Sequence, residues 1–141
     1  MQHKVIEIYS NVHDNEVLSY IVDIQNKVLT MYTKYLNENV TISFSGLGGH
    51  RFENVTYCNI VFSIEQICID YFVDQNEAIL EEGLKQAFPA AIRSCEELTV
   101  YLKRKSLKVF EIKSSLGLSG FIFAEDISVD VKPAAASDPS A

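Results

Sequence analysis

A run of acidic residues is the first stretch of this chain whose side chains could bind something. Residues 65–82 contain no Lys or Arg, and the carboxylates that follow Glu65 are Asp70, Asp74, Glu77, Glu81 and Glu82. A solvated helix ordinarily mixes charge signs, because Glu–Lys pairs one turn apart stabilise it by roughly 0.2 to 0.5 kcal/mol each. The run therefore favours a surface that binds a basic protein partner, and Asp70, Asp74, Glu77, Glu81 and Glu82 are the predicted contact residues.

The charge distribution supports the same interpretation but leaves an alternative open. Residues 65–97 hold eight acids against two bases, which is −6 of the formal net charge of −7. A basic run follows at Lys103, Arg104 and Lys105, where cations at the end of a predicted helix would complement its dipole. The alternative for the acidic run is a solvated helix face that only keeps the protein in solution.

A glycine-rich stretch is the second candidate site, and its residues are Gly46, Gly48, Gly49, His50 and Arg51. Free backbone amides beside an Arg could hold a phosphate, and His50 could act as an acid or a base. The stretch matches neither a Walker loop nor a Gly-x-Gly-x-x-Gly turn, and a strand is predicted after it instead of a helix. We expect this stretch to be a mobile hairpin tip. The alternative is that it binds a ligand, and the protein would then be a small-ligand or phosphate-binding protein or a hydrolase.

Other catalytic patterns are missing from the sequence. The three histidines and three cysteines are widely separated, without a metal-ligand spacing or a Cys-x-x-Cys pair. Aromatic residues on the predicted strands alternate with Ser, Asn, Asp and Glu, whereas a nucleic-acid surface would interleave them with Lys and Arg. We therefore expect no enzyme, no catalytic residue, no metal, no cofactor and no nucleic-acid partner.

Length and composition predict one compact domain. The chain has 141 residues, of which 48% are hydrophobic and 22% charged. Its longest apolar run, residues 87–92, is far short of the roughly 20 residues that a membrane-spanning helix needs. No membrane partner is expected, and because the first residues lack the apolar segment of a secretory signal, we expect a cytoplasmic protein.

Periodicity predicts an α+β fold, a mostly antiparallel sheet covered by helices in the order β-α-β-β-β-α-α-β-β-β. Its long helix covers residues 14–36 and packs the row Val17, Ile21, Ile24, Val28 and Met31 onto the sheet. Two further helices are predicted over residues 77–86 and 89–105, and strands over residues 3–10, 40–45, 54–63, 66–73, 107–112, 118–124 and 127–131. Residues 1–132 form the domain, and the Pro- and Ala-rich residues 133–141 are predicted to be a disordered tail or a cloning remnant.

An acidic domain of this size without catalytic motifs is analogous to immunity proteins, which neutralise a basic toxin or enzyme by docking an acidic face on it. We expect this function, with a secretion chaperone as an alternative that the predicted N-terminal strand disfavours. A homodimer is also possible, because strands near either terminus could pair across a two-fold axis.

Overall fold

A computed structural model describes residues 4–134 of the chain. Residues 1–3 and 135–141 lie outside the described residues, and with them nearly all of the predicted tail. The first residue of that tail, Pro133, is the last residue of a strand.

The chain folds into strands with one group of helices inserted before the last three strands. The strands are β1 (Val5–Tyr9), β2 (Glu16–Asp23), β3 (Val28–Tyr35), β4 (Glu38–Ser45), β5 (Gly49–Glu53), β6 (Ile60–Ile67), β7 (Lys108–Leu116), β8 (Ser119–Ala124) and β9 (Asp126–Pro133). The helices are α1 (Ile69–Gln75), α2 (Glu77–Leu84) and α3 (Cys95–Arg104), and a short 3-10 helix, Ser10–Val12, follows β1. In the described part of the chain, no helix is long and apolar enough to cross a membrane.

The strands pair antiparallel in the order β5-β8-β7-β6-β2-β3-β4-β9, and β1 pairs with β6. Only one residue pair, Glu16 with Ile60, joins β2 to β6. This weak junction divides the strands into an outer sheet (β2, β3, β4 and β9) and a middle sheet (β1, β6, β7, β8 and β5). The α+β class and the mostly antiparallel sheet agree with the sequence prediction, whereas the order of elements differs.

Two apolar clusters make the middle sheet a layer that is covered on both faces. One cluster joins the outer and middle sheets, with Met31, Phe44, Ile64 and Phe110 among its buried residues. The other joins the middle sheet to the helices, and its largest members are Phe72, Leu80, Leu98, Leu102, Phe121 and Phe123. Residues 121–124 of β8 are all buried, because successive side chains of a strand point to opposite faces and both faces here contact apolar layers.

The predicted long helix over residues 14–36 is wrong, because this segment forms the β2–β3 hairpin. The hairpin turns over residues 24–27. There the Asp23 carboxylate accepts hydrogen bonds from the Asn26 backbone N–H at 3.0 Å and from its side-chain amide at 2.8 Å. Lys27 completes the turn with a φ of 55°. An Asx turn of this kind offers the backbone an alternative to a continuous helix.

The burial pattern of residues 14–36 follows the period of a strand and not that of the predicted helix. In β3 the buried residues are Leu29, Met31 and Thr33, which alternate with more exposed neighbours as a strand requires. Ile21 and Ile24, two members of the predicted inner row, are 57% and 81% exposed. The segment is also rich in β-branched and aromatic residues, which lose side-chain freedom in a helix and pack well on a sheet.

Three further boundaries differ from prediction. Residues 66–73 divide between the end of β6 and the helix α1 instead of forming one strand. β6 begins at Ile60, and α3 begins at Cys95, because the Ser94 hydroxyl caps that helix by accepting a hydrogen bond from the Glu97 N–H at 3.2 Å.

Substitutions at two positions of the predicted helix distinguish the hairpin from a helix. Met31→Ala should lower the free energy of unfolding by about 2 to 5 kcal/mol, because Met31 is fully buried between the sheets. Ile24→Ala lies in the exposed turn and should change it by less than about 0.5 kcal/mol. Urea denaturation of both variants measures the two values, and equal losses at the two positions would contradict the hairpin.

Candidate functional site

The five predicted contact residues lie together on α1 and α2, and we call them the acidic surface: Asp70, Asp74, Glu77, Glu81 and Glu82. The two helices follow one another through Asn76, whose side-chain amide donates to the Phe72 carbonyl at 2.7 Å. Phe72 and Leu80 are each 1% exposed and fix the helices to the middle sheet. Their burial leaves the acidic side chains on the outward side of the helices.

Two of these five carboxylates are paired within the chain. Lys103 of α3 lies 2.8 Å from Asp70, and Lys85 lies 3.2 Å from Glu82. Asp74, Glu77 and Glu81 form no ion pair with any of residues 4–134. Among residues 4–134, three carboxylates of the acidic surface therefore have no ion-pair partner.

The ion pair between Lys103 and Asp70 could not be predicted from the local sequence. It lies 33 residues after Asp70 and reaches it only because α3 packs beside α1. The sequence placed Asp70 on a strand, whereas the structure places it in the first turn of α1. Its ion pair gives Asp70 a bridging role between two helices in addition to its place on the acidic surface.

Cys95 connects the acidic surface to the start of α3. Its thiol lies 3.9 Å from the Glu77 carbonyl oxygen. Burial raises the pKa of the Cys95 thiol, and the charges of Glu81 and Glu77 raise it further. A thiol with a raised pKa stays protonated and is a poor nucleophile, so this position is suited to packing and not to covalent chemistry.

The amides of the glycine-rich stretch are largely engaged in hydrogen bonds. The Leu47 N–H donates to the Lys27 carbonyl at 2.9 Å, and the Gly48 N–H donates to the Phe123 carbonyl at 2.7 Å. A side chain at Gly48 would collide with Leu107, which explains glycine at this position by close packing. The backbone here is therefore anchored to the β2–β3 turn and to β8. The predicted hairpin tip is wrong, because residues 46–48 connect β4 to β5 and these two strands pair with β9 and β8 instead of with each other.

His50 and Arg51 lie on β5, not in a loop. As neighbours on a strand they point to opposite faces. Burial lowers the pKa of the His50 imidazole, and its ring contacts the edge of Phe52 at a centroid distance of 5.1 Å. The Arg51 Nε donates to Glu53 at 3.1 Å. Within the described chain, the His50 side chain has no hydrogen bond to a carboxylate that could make it an acid–base pair.

Two further carboxylates, those of Glu65 and Glu111, lie on the face of the middle sheet that packs against the helices. The two residues face each other across β6 and β7. Glu65 is only 7% exposed and accepts a hydrogen bond from the Ser63 hydroxyl at 2.9 Å. The Lys113 ammonium lies 3.2 Å from its other oxygen, without an aligned hydrogen bond.

Glu111 borders a cleft of about 220 Å³ between the middle sheet and the helices, and Arg51, Asn76, Ile79 and Phe121 also line the cleft. Burial raises the pKa of the Glu111 carboxyl and the charge of Glu65 raises it further, while Lys113 opposes the shift. The sequence prediction missed this pair, because no local signal indicates which β7 residue faces Glu65.

Among residues 4–134, no three His, Cys, Asp or Glu side chains are close enough together to hold a metal ion. No protein-family model, curated protein or solved structure matches this chain. Function therefore has to be argued from the geometry of these surfaces.

The raised pKa of Glu111 predicts a pH-dependent effect on stability. Because the folded chain keeps this proton to higher pH than the unfolded chain, ionisation removes stability as the pH rises from the ordinary pKa of a Glu through the raised one. Glu111→Gln cannot ionise, so it should melt at a higher temperature than the wild type at about pH 7 and at the same temperature near about pH 3.

Calorimetry at both pH values measures this difference. Glu38→Gln is the matched control, because Glu38 is exposed and forms no ion pair within residues 4–134, and it should follow the wild type throughout. A Glu111→Gln variant that is less stable than the wild type at neutral pH would show that the ionised carboxylate stabilises the fold.

Proposed function

We propose that this chain is a non-catalytic protein that binds a basic protein partner through the acidic surface, as an immunity-type inhibitor binds the toxin or enzyme that it neutralises. The observation that supports the proposal is the group of unpaired carboxylates at Asp74, Glu77 and Glu81, presented outward on helices that are fixed to the core. Inhibition follows when the basic surface that becomes covered is one that the partner needs for its own substrate.

The charge arrangement costs free energy in the unbound protein. Glu77 and Glu81 are one turn apart on α2, and like charges at this spacing destabilise an isolated helix by roughly 0.2 to 0.5 kcal/mol per pair. A cationic partner removes this repulsion on binding. Its attraction also acts at a distance, which speeds the diffusional encounter and disfavours acidic competitors.

Rigidity makes the acidic surface suitable for specific binding. Phe72 and Leu80 hold α1 and α2 on the middle sheet, and the Asp70–Lys103 pair connects α1 to α3. A surface that is ordered before binding loses less conformational entropy when the complex forms. Recognition can then depend on the positions of the charges as well as on their number.

The geometry of the other candidate residues favours this function over the hydrolase alternative. His50 and Arg51 both border a cleft of about 300 Å³ that Glu82 also lines. As neighbours on β5, however, their side chains point to opposite faces of the strand, and the amides of Leu47 and Gly48 are engaged by the protein's own carbonyls. A hydrolase would need an acid or base and an anion-binding group that converge on one reacting atom.

Paired affinity capture tests whether such a partner exists. The wild type and the double variant Asp74→Lys/Glu81→Lys serve as parallel baits in extract of the native host at low salt. A basic protein that binds the wild type and not the variant is the expected partner, and its association rate can then be measured with purified components.

The double variant should associate with that purified partner at least about tenfold more slowly at low salt, and with a weaker dependence on salt concentration, because the long-range attraction is lost. The matched control is Glu7→Lys/Glu38→Lys, which changes the net charge equally at exposed positions outside the helices and outside β9 and should keep most of the wild-type rate. Stopped-flow kinetics over a salt series compares them.

Unfolding measurements establish that both double variants are folded. Equal association rates for the wild type and the Asp74→Lys/Glu81→Lys variant would show that the acidic surface serves only solubility. Equal slowing by the control variant would show that net charge matters and the position of the charges does not.

A further inference from the structure

The last strand of the fold has an open edge. β9 pairs with β4 over eight consecutive residue pairs without a bulge. In residues 4–134, no backbone hydrogen bond joins its other edge to the rest of the chain. Such an edge presents N–H and C=O groups that can pair with another strand.

The other open edges are shorter or interrupted. β1 and β5 have five residues each, and a register shift interrupts β1 after Val5. β2 also contains a register shift, between Val17 and Ser19. Bulges of this kind are a common protection against pairing between molecules, and β9 has none against β4.

The sequence of β9 is symmetric in residue type about Val129. Its polar residues on the solvent face are Asp126, Ser128, Asp130 and Lys132, and its apolar residues on the core face are Ile127, Val129 and Val131. An antiparallel partner strand aligned on Val129 therefore places apolar residues opposite apolar residues and polar residues opposite polar ones.

We propose that β9 pairs with β9 of a second copy of this chain, antiparallel and about a two-fold axis at Val129. In this register Asp126 lies opposite Lys132 of the second copy, and Lys132 lies opposite Asp126 of the second copy. Ile127 lies opposite Val131 of the second copy, and Ser128 lies opposite Asp130. The two outer sheets become one continuous sheet of eight strands.

The charges of β9 are complementary to those of a second β9 strand, which favours a second copy of the same chain as the partner at this edge. Within one copy, Asp126 and Lys132 form only weak, solvent-exposed ion pairs, at 3.5 Å with Lys108 and with Asp130 respectively. The two-fold register gives each of them an opposite charge directly across the strands, where such pairs stabilise a sheet. Two equivalent pairs form, because the symmetry repeats every contact.

Pairing of the two copies would also bury apolar side chains of β9. Val131 is 38% exposed in the single copy, and Ile127 of the second copy would lie beside it on the core face. Ile127 and Val129 already pack against the cluster between the outer and middle sheets. The dimer therefore extends an existing apolar face.

A charge swap tests the register. Sedimentation equilibrium from about 1 μM to about 1 mM should show a reversible monomer–dimer equilibrium for the wild type. Lys132→Asp places like charges opposite each other twice and should weaken the dimer about tenfold. The double variant Asp126→Lys/Lys132→Asp restores both opposite pairs and should recover the wild-type dissociation constant within about threefold.

A wild type that stays monomeric over this range would overturn the proposal. A double variant that is as weak as Lys132→Asp would also overturn it, because the charges would then not face each other. The substituted side chains lie on the solvent face of an edge strand, so the variants should fold as the wild type does.

Disulfide trapping tests the axis independently. In the proposed register residue 129 faces itself at a Cα–Cα distance of about 4.5 to 5.5 Å, which a disulfide can bridge. Val129→Cys should therefore form a covalent dimer on mild oxidation. Thr30→Cys, which lies on β3 away from the axis, is the matched control and should form none beyond the wild-type level, and equal cross-linking by both variants would overturn the register.

The dimer edge and the acidic surface lie in different parts of the fold. The dimer edge belongs to the outer sheet and the acidic surface to the helices, with the middle sheet between them. The Lys132→Asp variant loses the dimer and keeps the acidic surface, so it should keep most of the wild-type association rate with a basic partner, and a failure of one proposal is distinguishable from a failure of the other.

Discussion

The burial of the middle sheet on both faces is the constraint on which the rest of this structure depends. β6, β7 and β8 contribute side chains to both apolar clusters, and Phe110 and Phe121 lie on opposite faces of this sheet. Neither the outer sheet nor the helices could bury their apolar side without it. A layer with two apolar faces needs near-continuous hydrophobic strands, and residues 121–124 supply one of them.

The same constraint makes charged positions on the middle sheet electrostatically costly. On its helix-facing side the sheet carries Glu65 and Glu111 in line with the apolar Phe121, and both carboxylates are withdrawn from water to different degrees. Burying a carboxylate is unfavourable unless polar groups compensate. Ser63 and Lys113 compensate Glu65, whereas Glu111 responds by holding its proton to a higher pH.

The helices depend on tertiary packing for their stability. α1 and α2 have seven and eight residues, and isolated helices shorter than about 12 residues are marginal in water. Phe72 and Leu80 attach them to the middle sheet, so they tolerate the repulsion among Asp74, Glu77 and Glu81 that a free peptide would not. The proposed binding function depends on this arrangement, in which a predominantly acidic surface lies over a fixed core.

The sequence by itself determined the elements whose pattern allows a single interpretation. Strict alternation predicted β4, turn and strand residues predicted the last three strands, and the helix predicted over residues 77–86 contains α2 with Glu77, Glu81 and Glu82. These features are local: a strand's faces and a helix's charges depend on residues that are close together in the chain.

Only the tertiary structure decided the remaining features, because they depend on contacts between distant residues. Residues 14–36 carry apolar side chains that satisfy both a helical and a strand period, and pairing with β4 together with burial against the middle sheet selects the hairpin. The Asp70–Lys103 pair, the Glu65–Glu111 pair and the open edge of β9 arise in the same way. Local propensity is worth fractions of a kilocalorie per residue, whereas burying one large apolar side chain contributes roughly 1.5 to 3 kcal/mol, so packing overrides propensity where the two conflict.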